Sequence, residues 1–270
     1  MSIALITGAS SGIGREFVRQ LDSQGFHELW IVARRKERLA AVAAECTTPT
    51  KAIVCDLSRT EEIEKTLRPL IKNAPHPFSC VVNNAGFGKV GRVSQLSREG
   101  QMTMVDLNCR AVVAVTHLVL PYMDTSGTLI QVSSAASFGP LGGFAVYAAT
   151  KAFVTSFSLA LWAELAEENI HVMAMCPGPT ESEFSRVAHE EGKSPSAIFD
   201  SKYAVAPVVE KALRDAAQKK RYSIYGKKEQ FLFHLRTLLP DSFIARASLK
   251  KIVGISPSHR RKNTPPEKTT

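Results

Sequence analysis

The stretch Ile3-Ala4-Leu5-Ile6-Thr7-Gly8-Ala9-Ser10-Ser11-Gly12-Ile13-Gly14 decides the fold. It is a short apolar run, then a glycine-rich turn, then the start of a helical pattern over 12–24. A run apolar on both sides fits a strand covered on both faces. Gly8 permits the tight turn, Gly12 lets backbone approach a pyrophosphate, and Gly14 lets helix and strand pack closely. A helix N-terminus placed there offers free N–H groups and partial positive charge to phosphates.

Outward from this unit the pattern repeats. Strands are predicted over 3–7, 28–33, 52–55, 80–83, 128–133, 171–175 and 222–224. Helical patterns fall between them, over 36–45, 60–73, 102–120, 146–168 and 207–218. Alternating strand and helix means right-handed crossovers and a parallel sheet covered on both faces. The expected fold is therefore α/β, a Rossmann-type doubly wound sheet. Residues 1–225 are read as one dinucleotide-binding and catalytic domain. An apolar and basic segment, 226–255, extends it, and a polar tail, 256–270, is expected to be disordered.

The spacing of the turn, Thr7-Gly8-x-x-x-Gly12-x-Gly14, resembles the short-chain dehydrogenase/reductase family. Other stretches carry the same resemblance. Asp56-Leu57 closes the third predicted strand and looks like the family's contact with the adenine ring. Asn83-Asn84-Ala85-Gly86 closes the fourth and resembles the motif that supports the sheet and lines the cofactor cleft. Pro177-Gly178-Pro179-Thr180-Glu181-Ser182 follows the sixth and resembles the Pro-Gly motif that leads to the nicotinamide carboxamide. The resemblance thus implies that Gly8, Ser10, Gly12, Ile13, Gly14, Asp56, Leu57, Asn84, Ala85, Gly86, Pro177, Gly178, Thr180 and Ser182 line a nicotinamide cofactor. Ser182 stands where many relatives have threonine. The stretch 183–200 would be a substrate lid.

The second predicted strand runs into Arg34-Arg35-Lys36, where NAD binders place an acidic residue. Guanidinium matches phosphate by a charged, bidentate contact. Cations at a helix start also need an anion beside them. NADP(H) is therefore the expected cofactor. The resemblance gives Arg34 the discriminating position, with Arg35 assisting, although Ser11 replaces the basic residue of many NADP-preferring turns.

Tyr147 and Lys151 are four apart on a helical pattern and share one face. With Ser134 thirteen residues before Tyr147 and with Asn108, they resemble the family's catalytic group. Carbonyl reduction needs a hydride and a proton. A nearby ammonium lowers the pKa of a phenol, so Lys151 would tune Tyr147 as acid and base and also hold the nicotinamide ribose. Ser134 would hydrogen-bond the carbonyl oxygen, and Asn108 would hold a water on the proton path. Ser133 is read as a structural hydroxyl.

The chain has 270 residues, 44% hydrophobic, with net charge +9. Residues 211–270 hold fifteen Lys/Arg against four Asp/Glu, so the body before them is slightly negative. No nucleic-acid partner is expected. The five cysteines form no C-x-x-C pair and read as buried hydrophobes of a reducing, cytoplasmic protein. The early first strand leaves no room for a signal peptide. No run of eighteen apolar residues occurs, so no spanning helix is expected. No metal-ligand cluster of recognised spacing is found, so no metal is expected.

Three readings of the C-terminal segment stay open: a flap over the substrate cleft, a subunit contact, or a helix lying on an anionic membrane. The leading function is hydride transfer between NADP(H) and a small-molecule carbonyl or secondary alcohol, with a hydrophobic ketone as substrate. The alternatives are a membrane-surface lipid or sterol ketoreductase and a non-enzymatic NADP-binding sensor or scaffold. Helices 102–120 and 146–168 are apolar beyond one stripe, through Val112, Val115, Val119, Phe153, Phe157, Leu161 and Trp162. That excess, with the resemblance, implies a homodimer or homotetramer.

Overall fold

The computed structural model describes residues 1–189, 202–236 and 238–253. The chain alternates β1 (Ile3–Thr7), α1 (Gly12–Leu21), β2 (Glu28–Ala33), α2 (Lys36–Ala44) and β3 (Thr50–Val54). A segmented helix α3 over 60–72 leads to β4 (Phe78–Asn83). Next come α4 (Arg98–Tyr122), β5 (Met123–Val132), α5 (Ala145–Glu164) and β6 (His171–Met175). The short α6 (Phe184–His189), α7 (Val205–Ala217), β7 (Tyr222–Ser223), α8 (Lys227–Leu235) and α9 (Asp241–Val253) complete the described elements.

Strand order is β3-β2-β1-β4-β5-β6-β7, and every neighbouring pair is parallel. Successive strand side chains divide between two cores. Ile3, Leu5, Trp30 and Val32 pack with Leu67, Val115, Val119 and Leu161 on one face. Ala4, Ile6, Leu29 and Ile31 pack with Phe17, Leu21, Leu39, Val42 and Val208 on the other. Burial of each large aliphatic side chain contributes about 1.5–3 kcal/mol. Strand order reverses between β1 and β4, and at that point the carboxyl ends of the strands open a crevice.

The structure differs from the sequence expectation in several places. β5 begins at Met123, five residues before the predicted strand, with residues 124–127 at a register shift between the pairs Phe78 with Met123 and Cys80 with Thr128. α3 and α4 each contain a π-type turn, Ile63–Leu67 and Asp106–Arg110. α4 is also long and apolar enough, by length and composition, to cross a membrane. Asn108 and Arg110 break its apolar run, which is why a search for uninterrupted runs passes over it. In the fold its Leu107, Ala111, Val115 and Val119 belong to the sheet-facing core. The predicted tail, 256–270, and residues 190–200 of the predicted lid lie outside the described residues.

The C-terminal helices are seated on the body. α9 packs along the loop after β5. A side chain on Gly139 would meet Ile244 at 3.1 Å, and one on Gly142 would meet Leu249 at 2.7 Å. The backbone N–H of Gly142 donates to Ser248 Oγ at 2.9 Å. Ile252, 1% exposed, closes a small core with Phe144 and Tyr147.

Candidate active site

A cleft of about 920 Å³ runs across the carboxyl ends of the strands. Every residue expected from the sequence to bind the cofactor or act in catalysis lines it except Gly14 and Asn108. Those two lie behind its wall. Gly14 sits where any Cβ would collide with the Gly8 carbonyl and would lie 2.5 Å from the Asn84 side-chain nitrogen. Asn108 is fully buried.

At one end, Gly8 and Gly12 take φ of +66° and +53°, a region that favours glycine. Ser11 caps α1 in extended geometry without a side-chain bond to the helix, so the first N–H groups face the cleft. Thr7, the first residue of the turn motif, ties this turn to β4. Its hydroxyl accepts from the backbone N–H of Asn84 at 2.9 Å and of Ala85 at 3.1 Å. Asn84 donates through Nδ2 to the Thr7 carbonyl at 2.9 Å.

The two arginines part company. Arg35 Nη2 donates to Ser10 Oγ at 3.0 Å and Ser11 Oγ at 2.8 Å, beside the glycine turn. Its Nη1 donates to Glu183 at 2.8 Å. Arg34 turns away, with a looser contact of 3.7 Å to Asp56 and a side chain 63% exposed. Both arginines line the cleft, Arg35 against the glycine turn and Arg34 beside Asp56. Arg38, also missed, donates to the other oxygen of Glu183 at 2.6 Å.

At the far end Tyr147 and Lys151 project from one face of α5, both almost fully buried. Burial pushes the Tyr147 phenol up to about 12, against a smaller downward pull from a hydrogen bond with Ser134. Burial also pushes the Lys151 ammonium down, to about 8. In both groups burial is the first cause, because it disfavours the charged form. Lys151 Nζ donates to the Val132 carbonyl at 2.8 Å and lies 5.8 Å from the centroid of the Tyr147 ring. Ser134 begins the turn after β5, its Oγ accepting from Ala136 N–H at 3.1 Å. Ser133 is the structural hydroxyl expected of it, donating to the Lys151 carbonyl at 2.7 Å.

Asn108 sits in the π-type turn of α4. Its Nδ2 donates to the Phe87 carbonyl at 2.9 Å and to Thr150 at 3.0 Å, and its Oδ1 accepts from Phe87 N–H at 3.1 Å. It braces the loop after β4, and only the second lone pair of Oδ1 is left for a water. Of the carboxamide-side residues, Thr180 donates to the Gly178 carbonyl at 3.0 Å. Ser182 approaches the glycine turn, 3.0 Å from where a Cβ on Gly12 would stand.

An aromatic wall completes this end. Phe144 stacks on Tyr147 with centroids 4.3 Å apart, and Phe184 tilts against it at 5.2 Å. A Cβ on Gly88 would lie within 2.9 Å of all three rings. The second glycine of Gly86-Phe87-Gly88 was the one sequence signal for this close approach. In this arrangement a buried phenol, a serine hydroxyl and an ammonium meet at one end of a long cleft. A glycine turn, two hydroxyls and a guanidinium form the other end.

Known proteins share this fold. The model of the short chain dehydrogenase family matches residues 2–192. Serine 3-dehydrogenase of Agrobacterium fabrum is 35% identical over 185 residues, 68% of this chain and 74% of that protein. A short-chain dehydrogenase from Sphingobium yanoikuyae, solved in complex with NADPH, superposes with a TM-score of 0.77 at 27% identity, covering 97% and 99% of the two chains. The bulky-bulky ketone specific alcohol dehydrogenase of Comamonas testosteroni superposes at 0.72 with 25% identity, covering 97% and 98%. One family match spans the glycine turn and the Ser134, Tyr147 and Lys151 group alike, and this chain belongs to the short-chain dehydrogenase family.

Proposed function

We propose that this oxidoreductase transfers hydride between NADP(H) and a carbonyl or secondary alcohol, with a hydrophobic ketone as substrate. The observation that carries the reading is the buried Tyr147 phenol beside Ser134 and Lys151, at the end of a cleft that starts on the glycine turn. The residues fit such a cofactor. The uncapped N-terminus of α1 and the positive-φ glycines suit a pyrophosphate. Arg35 with Ser10 and Ser11 suits the additional phosphate of NADP(H). NADPH and NADP+ complexes among the structural relatives support the same choice.

When bound, NADPH supplies the hydride. Ser134 Oγ–H donates to the carbonyl oxygen and stabilises the charge that grows there. Tyr147, protonated at neutral pH as a phenol is, passes its proton to that oxygen. Lys151, held at the Val132 carbonyl, supplies positive charge against the tyrosinate that remains and would hold the ribose of a bound cofactor. Asn108 keeps the loop carrying Gly86 and Phe87 in place behind them. Leu141, Phe144, Phe184 and Ile252 line the cleft beside Tyr147, which suits an apolar substrate; a bulky-ketone enzyme among the neighbours agrees with this. The test is NADPH consumption over a panel of steroids, sugars, acyl ketones and aromatic aldehydes. Turnover confined to polar sugars would refute the ketone assignment.

Assembly as a homodimer or homotetramer through α4 and α5 is part of the proposal. Val112, Val115, Val119 and Leu161 face the protein's own core, but Val113, Phe153 and Trp162 are exposed on these helices. Sedimentation equilibrium at micromolar concentration should give more than a monomer. A cytoplasmic setting suits five cysteines that are all unpaired. A second reading, a membrane-surface enzyme acting on lipid ketones, draws on Phe231, Leu238 and Phe243. All three are more than 60% exposed, on a segment rich in lysine and arginine. Flotation with anionic liposomes separates the two settings.

A further inference from the structure

Glu183 was read from the sequence only as the first residue of a charged cover. In the structure it is the counter-ion of Arg35 on the cleft wall and of Arg38 in the hollow beside it, with Arg186 further off at 3.9 Å. Arg35 divides its fork, giving Nη2 to the hydroxyls of Ser10 and Ser11 and Nη1 to Glu183 Oε2 at 2.8 Å. Arg38 holds Oε1 at 2.6 Å. These two guanidinium groups, Arg38 first, keep the carboxyl down at about 2, so it is an anion at any working pH. The ion pair joins the start of α2 to the segment leaving β6 across the mouth of the cleft. On its outer side lies a second hollow of about 620 Å³, lined by Arg15, Arg19, Arg38 and Glu183 among others.

Carboxylate and phosphate are alternative bidentate partners of a guanidinium. Two anions on one fork repel each other. We propose that Glu183 is a specificity-determining residue for the cofactor: its carboxylate holds the place between Arg35 and Arg38 that the 2′-phosphate of NADP(H) takes, and the phosphate binds by displacing it. This rests on the reading above that Arg35 receives that phosphate. The adjacent hollow gives the released side chain room. NAD(H), which has no such phosphate, leaves the ion pair intact. Glu183 therefore opposes NADP(H) and is indifferent to NAD(H), and cofactor preference is weaker than two arginines alone would produce.

The experiment is calorimetric titration of the full chain, without substrate, using 2′,5′-ADP and 5′-ADP as probes. Wild type, Glu183→Gln and Glu183→Ala are compared at low and high salt. Glutamine keeps the shape without the charge, and alanine removes both. Both variants should bind 2′,5′-ADP about three- to tenfold more tightly than wild type, a fraction of a charge-assisted contact because the site is partly exposed. Affinity for 5′-ADP should stay within about twofold, and the gain should shrink as salt rises. If the variants bind 2′,5′-ADP no better, or alanine binds it worse, Glu183 braces the arginines and the displacement idea is overturned. If neither wild type nor either variant prefers 2′,5′-ADP over 5′-ADP, the phosphate site itself is wrong, whereas a wild-type preference that the variants do not raise overturns the displacement alone.

Discussion

Arg35 and Tyr147 stand at opposite ends of one cleft, and their surroundings differ in kind. Around Arg35, charge is matched by charge at half-exposed positions, with Glu183 one-third exposed and Arg38 about half exposed. Around Tyr147 the polar groups are buried and matched by neutral partners, a carbonyl for Lys151 and a hydroxyl for Tyr147. Solvent and salt screen the first end, so single changes there should move affinity modestly. Nothing screens the second, so a change of one atom there should act on the rate in full.

The strongest way to break this contrast is Tyr147→Phe. The ring keeps its stack on Phe144 and its contact with Phe184, while the proton donor is lost. Turnover should fall by about two or more orders of magnitude, with NADPH binding by fluorescence within about twofold of wild type. Near-normal turnover would mean that the buried end does not carry the chemistry.

The next tests whether the C-terminal helix belongs to that end. Ile252 is buried against Phe144 and Tyr147, so Ile252→Ala should lower stability by about 2 kcal/mol, toward the low side for a core truncation near a helix end. It should raise KM for bulky ketones more than it lowers kcat. Chemical denaturation and steady-state kinetics check both. Unchanged KM for every ketone would separate α9 from the substrate site.

How much of each end could be read from the chain differs for a physical reason. Glycine spacing, Val- and Ile-rich strands and a Tyr-Lys pair at helical spacing are local patterns, and each lies in the structure where its local geometry requires. Contacts across long loops leave no such trace. Arg38 and Glu183 are 145 residues apart, and nothing near either residue marks the other. The seat of α9 on Gly139, Gly142 and Gly143 is equally non-local. Arg34 and Arg35 show a third limit. Adjacent residues leaving a strand point to opposite sides, so one arginine must turn from the glycine turn. Which one does so depends on how the chain enters α2. Desolvation is also invisible at the level of residue types, and it is the first cause of the raised Tyr147 pKa in the cofactor-free chain.

Lys151 gives a smaller signal that needs no substrate. Its folded pKa of about 8 lies below the ordinary 10.5. Between those values the unfolded chain holds a proton that the folded chain has lost, so this group makes stability rise with pH across that window. Buried thiols such as Cys80 and Cys176, raised to about 12 and 11, act in the opposite sense above the ordinary thiol range. The comparison must therefore be with Lys151→Met, which leaves the thiols in place. Wild-type stability minus that of the variant should climb from pH 8 to pH 10 in denaturant titrations of the cofactor-free chain. A flat difference would show that Lys151 is not held in a water-poor site.

The least effect is expected where the exposed end is probed one arginine at a time, and the asymmetry between them is what matters. Arg35 contacts both serines of the turn and Glu183, whereas Arg34 has, among the described residues, a long contact with Asp56. A charge-assisted contact contributes roughly 1.5–3 kcal/mol before screening, and half-exposure reduces that. Arg35→Ala should therefore weaken NADPH by about tenfold, and Arg34→Ala by about threefold or less. Neither should change NADH by more than about twofold, since NADH lacks the group they bind. Arg35→Lys should restore only part of the loss, because an ammonium carries the charge but not the fork. The measurement is the ratio of kcat/KM for NADPH and NADH at two salt concentrations, with the Arg35 effect shrinking at the higher one. If Arg34→Ala costs more than Arg35→Ala, the phosphate sits on the outer side of the strand end, as the resemblance alone implies, and the contrast between the two ends would have to be redrawn around Arg34 and Asp56.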